Sequence, residues 1–128
     1  MSEESATFNV LIAEDEDLNF LFLDLLLRKV GNGLYAIHRA INGREAVDYC
    51  NSHEVDIVLM DLKMPVMDGF EATSIIKKAF PKLPIVVQTA YTGELDRQRA
   101  FECGCDEYMT KPIQKEDLVA VMKQFLPK

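Results

Sequence analysis

Five short runs rich in β-branched and other apolar residues alternate along the chain with segments of helical period, and this alternation narrows the fold further than any other feature. The strand-like runs cover residues 8–13, 35–40, 55–60, 84–89 and 105–109. The helical segments cover 17–30, 43–51, 69–80, 93–103 and 114–126. Regular alternation of this kind implies repeated βα units, hence an α/β protein with a doubly wound parallel sheet covered by helices on both faces. Local punctuation agrees. Asn42 with Glu45, and Asp68 with Glu71, have the spacing of capping boxes, and Thr92 is placed to cap the fourth helix. Gly31, Gly33 and Gly104 fall where helices should stop, and Pro81 cannot continue the third. Leu118, Val121, Met122 and Phe125 form one apolar stripe on the last helix.

Size and composition fit one such domain spanning 1–128, with its core at about 7–127. A chain of 128 residues with 48% apolar and 27% charged side chains buries roughly two thirds of its unfolded surface and needs no disulfide or metal to hold a core. Cys50, Cys103 and Cys105 contain no C-x-x-C pair and have no spaced histidine partners, so they read as small core residues in a reducing compartment. Fourteen Lys and Arg against 21 Asp and Glu leave a net charge of −7. A nucleic-acid reader would show a clustered basic face, and none is present. The longest apolar stretch, around 20–27, is interrupted by Asp24 and falls short of the roughly 20 residues needed to span a bilayer. The acidic start, Met1 to Ser5, lacks the cationic and apolar regions of a secretory signal, so a cytoplasmic location is expected, with no membrane contact by this domain.

In an open parallel sheet the functional site lies beyond the carboxyl ends of the strands, and chemistry-bearing residues cluster there. Glu14, Asp15, Glu16 and Asp17 follow the first run, Asp61 the third, Thr89-Ala90 ends the fourth, and Lys111-Pro112 follows the fifth. Glu14, Asp15 and Asp61 form a plausible oxygen cradle for Mg2+ or Mn2+, which would relieve their mutual repulsion. Asp61, at the end of an apolar strand, suits a carboxylate that accepts a phosphoryl group. Lys111 and Thr89 can meet phosphoryl oxygens, and the small Ala90 leaves space for the group to enter.

These residues carry a family resemblance. Glu14-Asp15, the segment from Asp61 through Lys63, Met64 and Pro65 to Asp68-Gly69, Thr89-Ala90, Tyr108 and Lys111-Pro112 together resemble the signature of response-regulator receiver domains of two-component signalling, in order and spacing over essentially the whole chain. The resemblance implies a flavodoxin-like (βα)5 fold with strand order 2-1-3-4-5. It implies phosphoryl transfer to Asp61 from a histidine kinase or a histidine phosphotransfer domain, with the metal held by Glu14, Asp15, Asp61 and the backbone carbonyl of Lys63. It further implies that Thr89 and Tyr108 act as a switch pair on the face of the fourth helix, fifth strand and fifth helix, a face that also serves homodimers in some receivers. Lys111 is implied to contact the phosphate, with a cis bond before Pro112 that aims it. The Glu14-Asp15 pair with Asn19 is similar to receivers attached to hybrid histidine kinases, which would make the chain part of a longer, membrane-anchored protein rather than a stand-alone receiver. Tyr91, two residues past Thr89, has the bulk to shield the phosphoryl group from water. The first helix is where the phosphodonor docks in the family; Leu21 interrupts its polar stripe and Phe20 flanks it, and both are expected to contact that partner.

Plainer readings apply residue by residue. Glu16 and Asp17 read best as helix N-terminal acids, Asp17 as the cap of the first helix. His38 and His53 stand apart, without a role, and the methionines around Asp61 read as packing. A flavin- or nucleotide-binding protein would present a glycine- or hydroxyl-rich phosphate loop after the first strand, where this chain has four acids. An aspartyl-phosphate hydrolase would carry a second acid two positions after the nucleophile, where this chain has Lys63, so separate substrate turnover is not expected. A pseudo-receiver, kept as an unphosphorylated interaction module, would have lost Asp61, Lys111 or the metal acids.

Overall fold

The computed structural model describes residues 8–126; Thr7 and Pro127, the expected ends of the core, and the acidic first residues lie outside the described residues. Five parallel strands, β1 (Phe8–Ala13), β2 (Tyr35–Ala40), β3 (Ile57–Met60), β4 (Ile85–Thr89) and β5 (Glu107–Thr110), form one sheet in the order β2-β1-β3-β4-β5. They alternate with α1 (Asp17–Gly31), α2 (Gly43–Ser52), α3 (Gly69–Ala79), α4 (Glu94–Glu102) and α5 (Lys115–Phe125). All of β3 and β4 is buried, which is why these strands read as continuous apolar runs: both faces are covered. Successive side chains serve opposite layers. Val10, Ile12, Ile57, Leu59 and Val86 pack with Leu23 and Leu27 of α1 and Leu118, Val121 and Met122 of α5. Leu11, Val58, Met60 and Ile85 pack with Ala46 and Val47 of α2 and Ala72 and Ile76 of α3. A smaller cluster of Leu62, Phe70, Val87, Ala100, Cys105 and Tyr108 lies beneath α4, which contributes Ala100 as its buried residue.

Three strands are shorter or shifted relative to their apolar runs; at two entrances an aspartate carboxylate accepts the N–H of the neighbouring strand, while the aspartate's own N–H keeps its backbone bond. Residues 55–56 precede β3 as a loop in which the Asp56 carboxylate accepts from Asn9 N–H at 2.7 Å. β4 begins after Pro84. β5 begins two residues later than its run, and the Asp106 carboxylate receives both Ile85 N–H and Lys77 Nζ, each at 2.9 Å. Asn42 and Asp68 cap α2 and α3 as expected, accepting from Glu45 and Glu71 N–H at 2.8 and 2.9 Å. Thr92 does not cap α4; the N-cap is Gly93, without a side-chain bond. Asp17 is not a cap either. Glu16 holds that position, and Asp17 sits in the first turn, paired with Arg39 on β2 at 2.9 Å. α1 is closed by Asn32 in the left-handed region (φ 48°), with Asn32 N–H on the Arg28 carbonyl. Asparagine tolerates that conformation better than other non-glycine residues, so the glycine expected to end α1 lies one position on either side. No described helix is long and apolar enough to cross a membrane.

Candidate functional site

The strands place their end residues by continuing their ladders one step past the sheet. Asp61 N–H donates to the Ala13 carbonyl at 3.0 Å, Glu14 N–H to Ala40 at 2.9 Å and Lys111 N–H to Thr89 at 2.7 Å. Because β1 lies between β2 and β3, and β4 beside β5, acids from chain positions 14 and 61 meet a lysine from position 111. Gly69 closes the site from below: its N–H donates to the Leu62 carbonyl at 2.9 Å, and a Cβ there would strike the Asp61 backbone.

Glu14 is fully buried and Asp61 is 6% exposed, while Asp15 faces solvent. One carboxylate oxygen from each of the three lies within 4.8 Å of the others. Lys111 Nζ donates to Glu14 Oε1 at 2.7 Å and to Asp61 Oδ2 at 3.0 Å. Two buried carboxylates therefore share one ammonium. The result is a perturbed acid: burial first, and then the Glu14 charge, push the Asp61 carboxyl from 3.8 up to about 6, against the opposing pull of Lys111. Burial alone would lower Lys111, but its bonds to Glu14 and Asp61 outweigh that and hold it above its ordinary value. An excess of hard carboxylate oxygens around one shared ammonium, with a third acid open to solvent, fits a small divalent cation.

Around this core, Thr89 is buried and its Oγ1 accepts from Tyr91 N–H at 3.3 Å, while buried Tyr108 donates from its hydroxyl to the Tyr91 carbonyl at 2.7 Å. The Tyr91 backbone thus links the hydroxyl at the site to the ring on β5. Lys63 Nζ lies 5.4 Å from the Tyr91 ring centre, within cation–π range, and Tyr91 is 41% exposed. Ala90 is exposed and lines a cleft of about 370 Å³ that also touches Phe22, Gln88, Lys111 and Pro112. The Lys111–Pro112 bond is cis.

Glu14, Asp15, Asp61, Thr89, Ala90 and Lys111 are thus gathered at one sheet edge, with Tyr108 connected through Tyr91. Phe20 is set apart from Leu21: it packs partly against the core, with the Arg39 guanidinium 4.8 Å from its ring centre, whereas Leu21 is 48% exposed beside exposed Leu18, Phe22 and Leu25. His38 and His53 do not stand apart, since Tyr49 lies between them, stacked on His53 at 4.0 Å and 5.3 Å from His38. The three cysteines are free, and burial pushes the Cys50 and Cys105 thiols up to about 11 and 12, away from reactive thiolate. Two contributors were not anticipated. Arg39 donates from Nε to the Glu14 carbonyl at 3.0 Å, tying β2 to the acidic loop. Gln88, fully buried, donates from Nε2 to Glu14 Oε1 at 3.3 Å; its signal was a lone amide inside an apolar strand.

A five-unit βα sheet of this strand order, with buried acids tied to a lysine at its carboxyl edge, is the flavodoxin-like architecture expected from the sequence. Comparison with known proteins makes this specific. Residues 10–123 match the family described as the response regulator receiver domain. The chain is 37% identical over 121 residues to hybrid signal transduction histidine kinase G of Dictyostelium discoideum, covering 92% of this chain and 4% of that protein. Among solved structures, it superposes with a TM-score of 0.86 on the receiver domain of a sensor histidine kinase from Pseudomonas aeruginosa with magnesium coordinated in its active-site cleft, at 27% identity and covering 96% of this chain and all of that one. The signal receiver domain of a histidine kinase from Syntrophus aciditrophicus gives a TM-score of 0.84 at 30% identity, covering 94% and 90% of the two chains. The chain belongs to the response-regulator receiver family of two-component signalling.

Proposed function

We propose that this domain, spanning residues 1–128, is the phosphoacceptor of a phosphorelay, taking a phosphoryl group from a phosphohistidine onto Asp61. The observation that carries the reading is the forked lysine: one ammonium bridges a fully buried glutamate and a nearly buried aspartate. Burying two carboxylates against one cation is costly, and the arrangement holds the ammonium 3.0 Å from the Asp61 carboxylate that would carry the phosphoryl group. An Asp61 oxygen forms the new bond to phosphorus, and the bond from phosphorus to the donor imidazole breaks, its electron pair returning to the ring nitrogen. Lys111 then pairs with a phosphoryl oxygen, Thr89 donates to another, and Ala90 leaves the entry path open. Glu14, Asp15, Asp61 and the Lys63 carbonyl would hold Mg2+, or Mn2+ in its place. The cation supplies charge neutralisation for the incoming phosphoryl group.

The signal leaves through the Thr89–Tyr91–Tyr108 connection toward the face of α4, β5 and α5, so the domain works as a switch and turns over no separate substrate. Similarity to histidine-kinase receivers supports a hybrid kinase as the parent chain, with the kinase or a phosphotransfer domain as the donor. Mixing the protein with acetyl phosphate and Mg2+ tests the central claim. Intact mass should show one added phosphate, lost on chelating the metal beforehand; no labelling from acetyl phosphate or a phosphohistidine donor would refute it.

Two further outcomes follow from the surroundings. Lys63 and Tyr91, two residues past Asp61 and Thr89 respectively, lie together, with Lys63 Nζ 5.4 Å from the Tyr91 ring centre. A bulky ring there would shield the phosphoryl group, so Tyr91→Ala should speed decay of the phosphorylated form about tenfold, read by the loss of added mass with time; an unchanged half-life removes Tyr91 from that role. Leu21 lies on the exposed apolar stretch of α1, where the donor would dock. Leu21→Asp should keep the fold and acetyl phosphate labelling while slowing transfer from the protein donor about tenfold or more, as loss of an apolar anchor in an interface does. Equal transfer rates would exclude this face.

A further inference from the structure

Gln88 is fully buried at the end of β4, in a strand whose other residues before Thr89 are apolar. Its Nε2 donates to Glu14 Oε1 at 3.3 Å. A carboxylate only accepts, so the amide must aim its NH2 at Glu14, and this leaves Gln88 Oε1 buried without a partner among the described residues. An unpaired buried carbonyl costs stability, and an apolar side chain of the same length would fill the site without that cost. Packing therefore does not account for the amide. Glu14 does, because its Oε1 is shared between two donors, Lys111 at 2.7 Å and Gln88, and Lys111 is also committed to Asp61. When Lys111 follows a phosphoryl group on Asp61, Gln88 is the side chain still bonded to that oxygen.

We propose that Gln88 is a positioning residue that holds the buried Glu14 carboxylate in place for the divalent cation and remains its donor when Lys111 is drawn away. This rests on the reading of Glu14 as a metal acid. Partners that orient a metal-binding side chain are worth about 10–100-fold in metal affinity.

The test is a Mg2+ titration of the metal-free protein by calorimetry, with Gln88→Met and Glu14→Gln singly and together. Gln88→Met should weaken Mg2+ binding about tenfold while leaving the metal-free unfolding midpoint unchanged or higher. In the Glu14→Gln background the same step should cost about twofold or less, since residues acting through one another are not additive. Wild-type affinity in Gln88→Met, or an equal loss in both backgrounds, would overturn the proposal. So would failure of both Gln88→Met and Gln88→Leu to fold, which would assign the amide to the core. If the unaltered protein binds no Mg2+, the reading of Glu14 fails first, and the two failures are separable.

Discussion

Asp61→Asn should abolish labelling by acetyl phosphate and, in chelator at neutral pH, make the protein more stable than the wild type. The first effect follows because an amide oxygen is too weak a nucleophile to replace the carboxylate. The second follows from the perturbed acid. The Asp61 carboxyl stands at about 6 in the folded protein against an ordinary 3.8, so the fold favours its protonated form. That preference stabilises fully below about pH 4 and is lost as pH rises through 6. Asparagine mimics the neutral acid at every pH. The two proteins should therefore unfold together near pH 4 and separate above it, with the variant ahead by about 1–2 kcal/mol at pH 7.5. The distance of the carboxyl from its ordinary value sets an upper limit of about 3 kcal/mol, and the weakened bond to Lys111 takes part of it back. Thermal melts across pH 4–8 with EDTA would show this as a midpoint gap of several degrees that opens with pH. A variant that still takes up phosphate places the acceptor elsewhere, and one that is less stable at pH 7.5 means that Asp61 is not strained by its neighbours.

How much of the molecule is readable from its residues alone depends on the range of the interaction. The βα alternation and the site acids are legible because burial on both sheet faces forces unbroken apolar runs, and because residues just past those runs must share one edge. Strand entrances are not, since the Asp56 and Asp106 carboxylates accept N–H groups of neighbouring strands across 47 and 21 residues. Asp17 reads locally as a cap, and its partner Arg39 is 22 residues away. Val66 gives no local signal either. It adopts φ 71° beneath a bond from Met67 N–H to the Pro65 carbonyl at 2.7 Å, a tight turn that a β-branched residue enters only under strain. That turn lies in the loop leaving Asp61 for α3. The capping bonds of Asn42 and Asp68 span three residues and are visible in the sequence, whereas Gln88 and Glu14, 74 residues apart, meet only once β1, β3 and β4 lie in their places.

Lys111→Met should produce two deficits with different cures. In metal-free buffer at pH 7.5 it leaves Glu14 and Asp61, 0% and 8% exposed at the side chain, without their common cation. Removing one partner of a buried pair costs about 3–5 kcal/mol; since Lys111 is itself 17% exposed, about 2–3 kcal/mol is expected. Loss of the lysine also removes the downward pull on the Asp61 carboxyl, so that group protonates at higher pH than in the wild type. The stability deficit should shrink as pH falls and Asp61 gives up its charge. Mg2+ should likewise shrink it, because the cation neutralises the same two acids. The second deficit is kinetic. A charged donor aimed at the transferred group is worth about a hundredfold in rate, and labelling by acetyl phosphate should slow by about that factor. Saturating Mg2+ cannot restore it, since the ion offsets the repulsion between the acids and supplies no donor where the lysine stood. Melting curves with and without Mg2+, set beside labelling rates at saturating Mg2+, separate the two effects. Replacing a surface lysine would change stability by about 0.5 kcal/mol or less and leave the rate alone. A rate that recovers with Mg2+ in parallel with stability would make Lys111 a counter-ion for the two acids and nothing more.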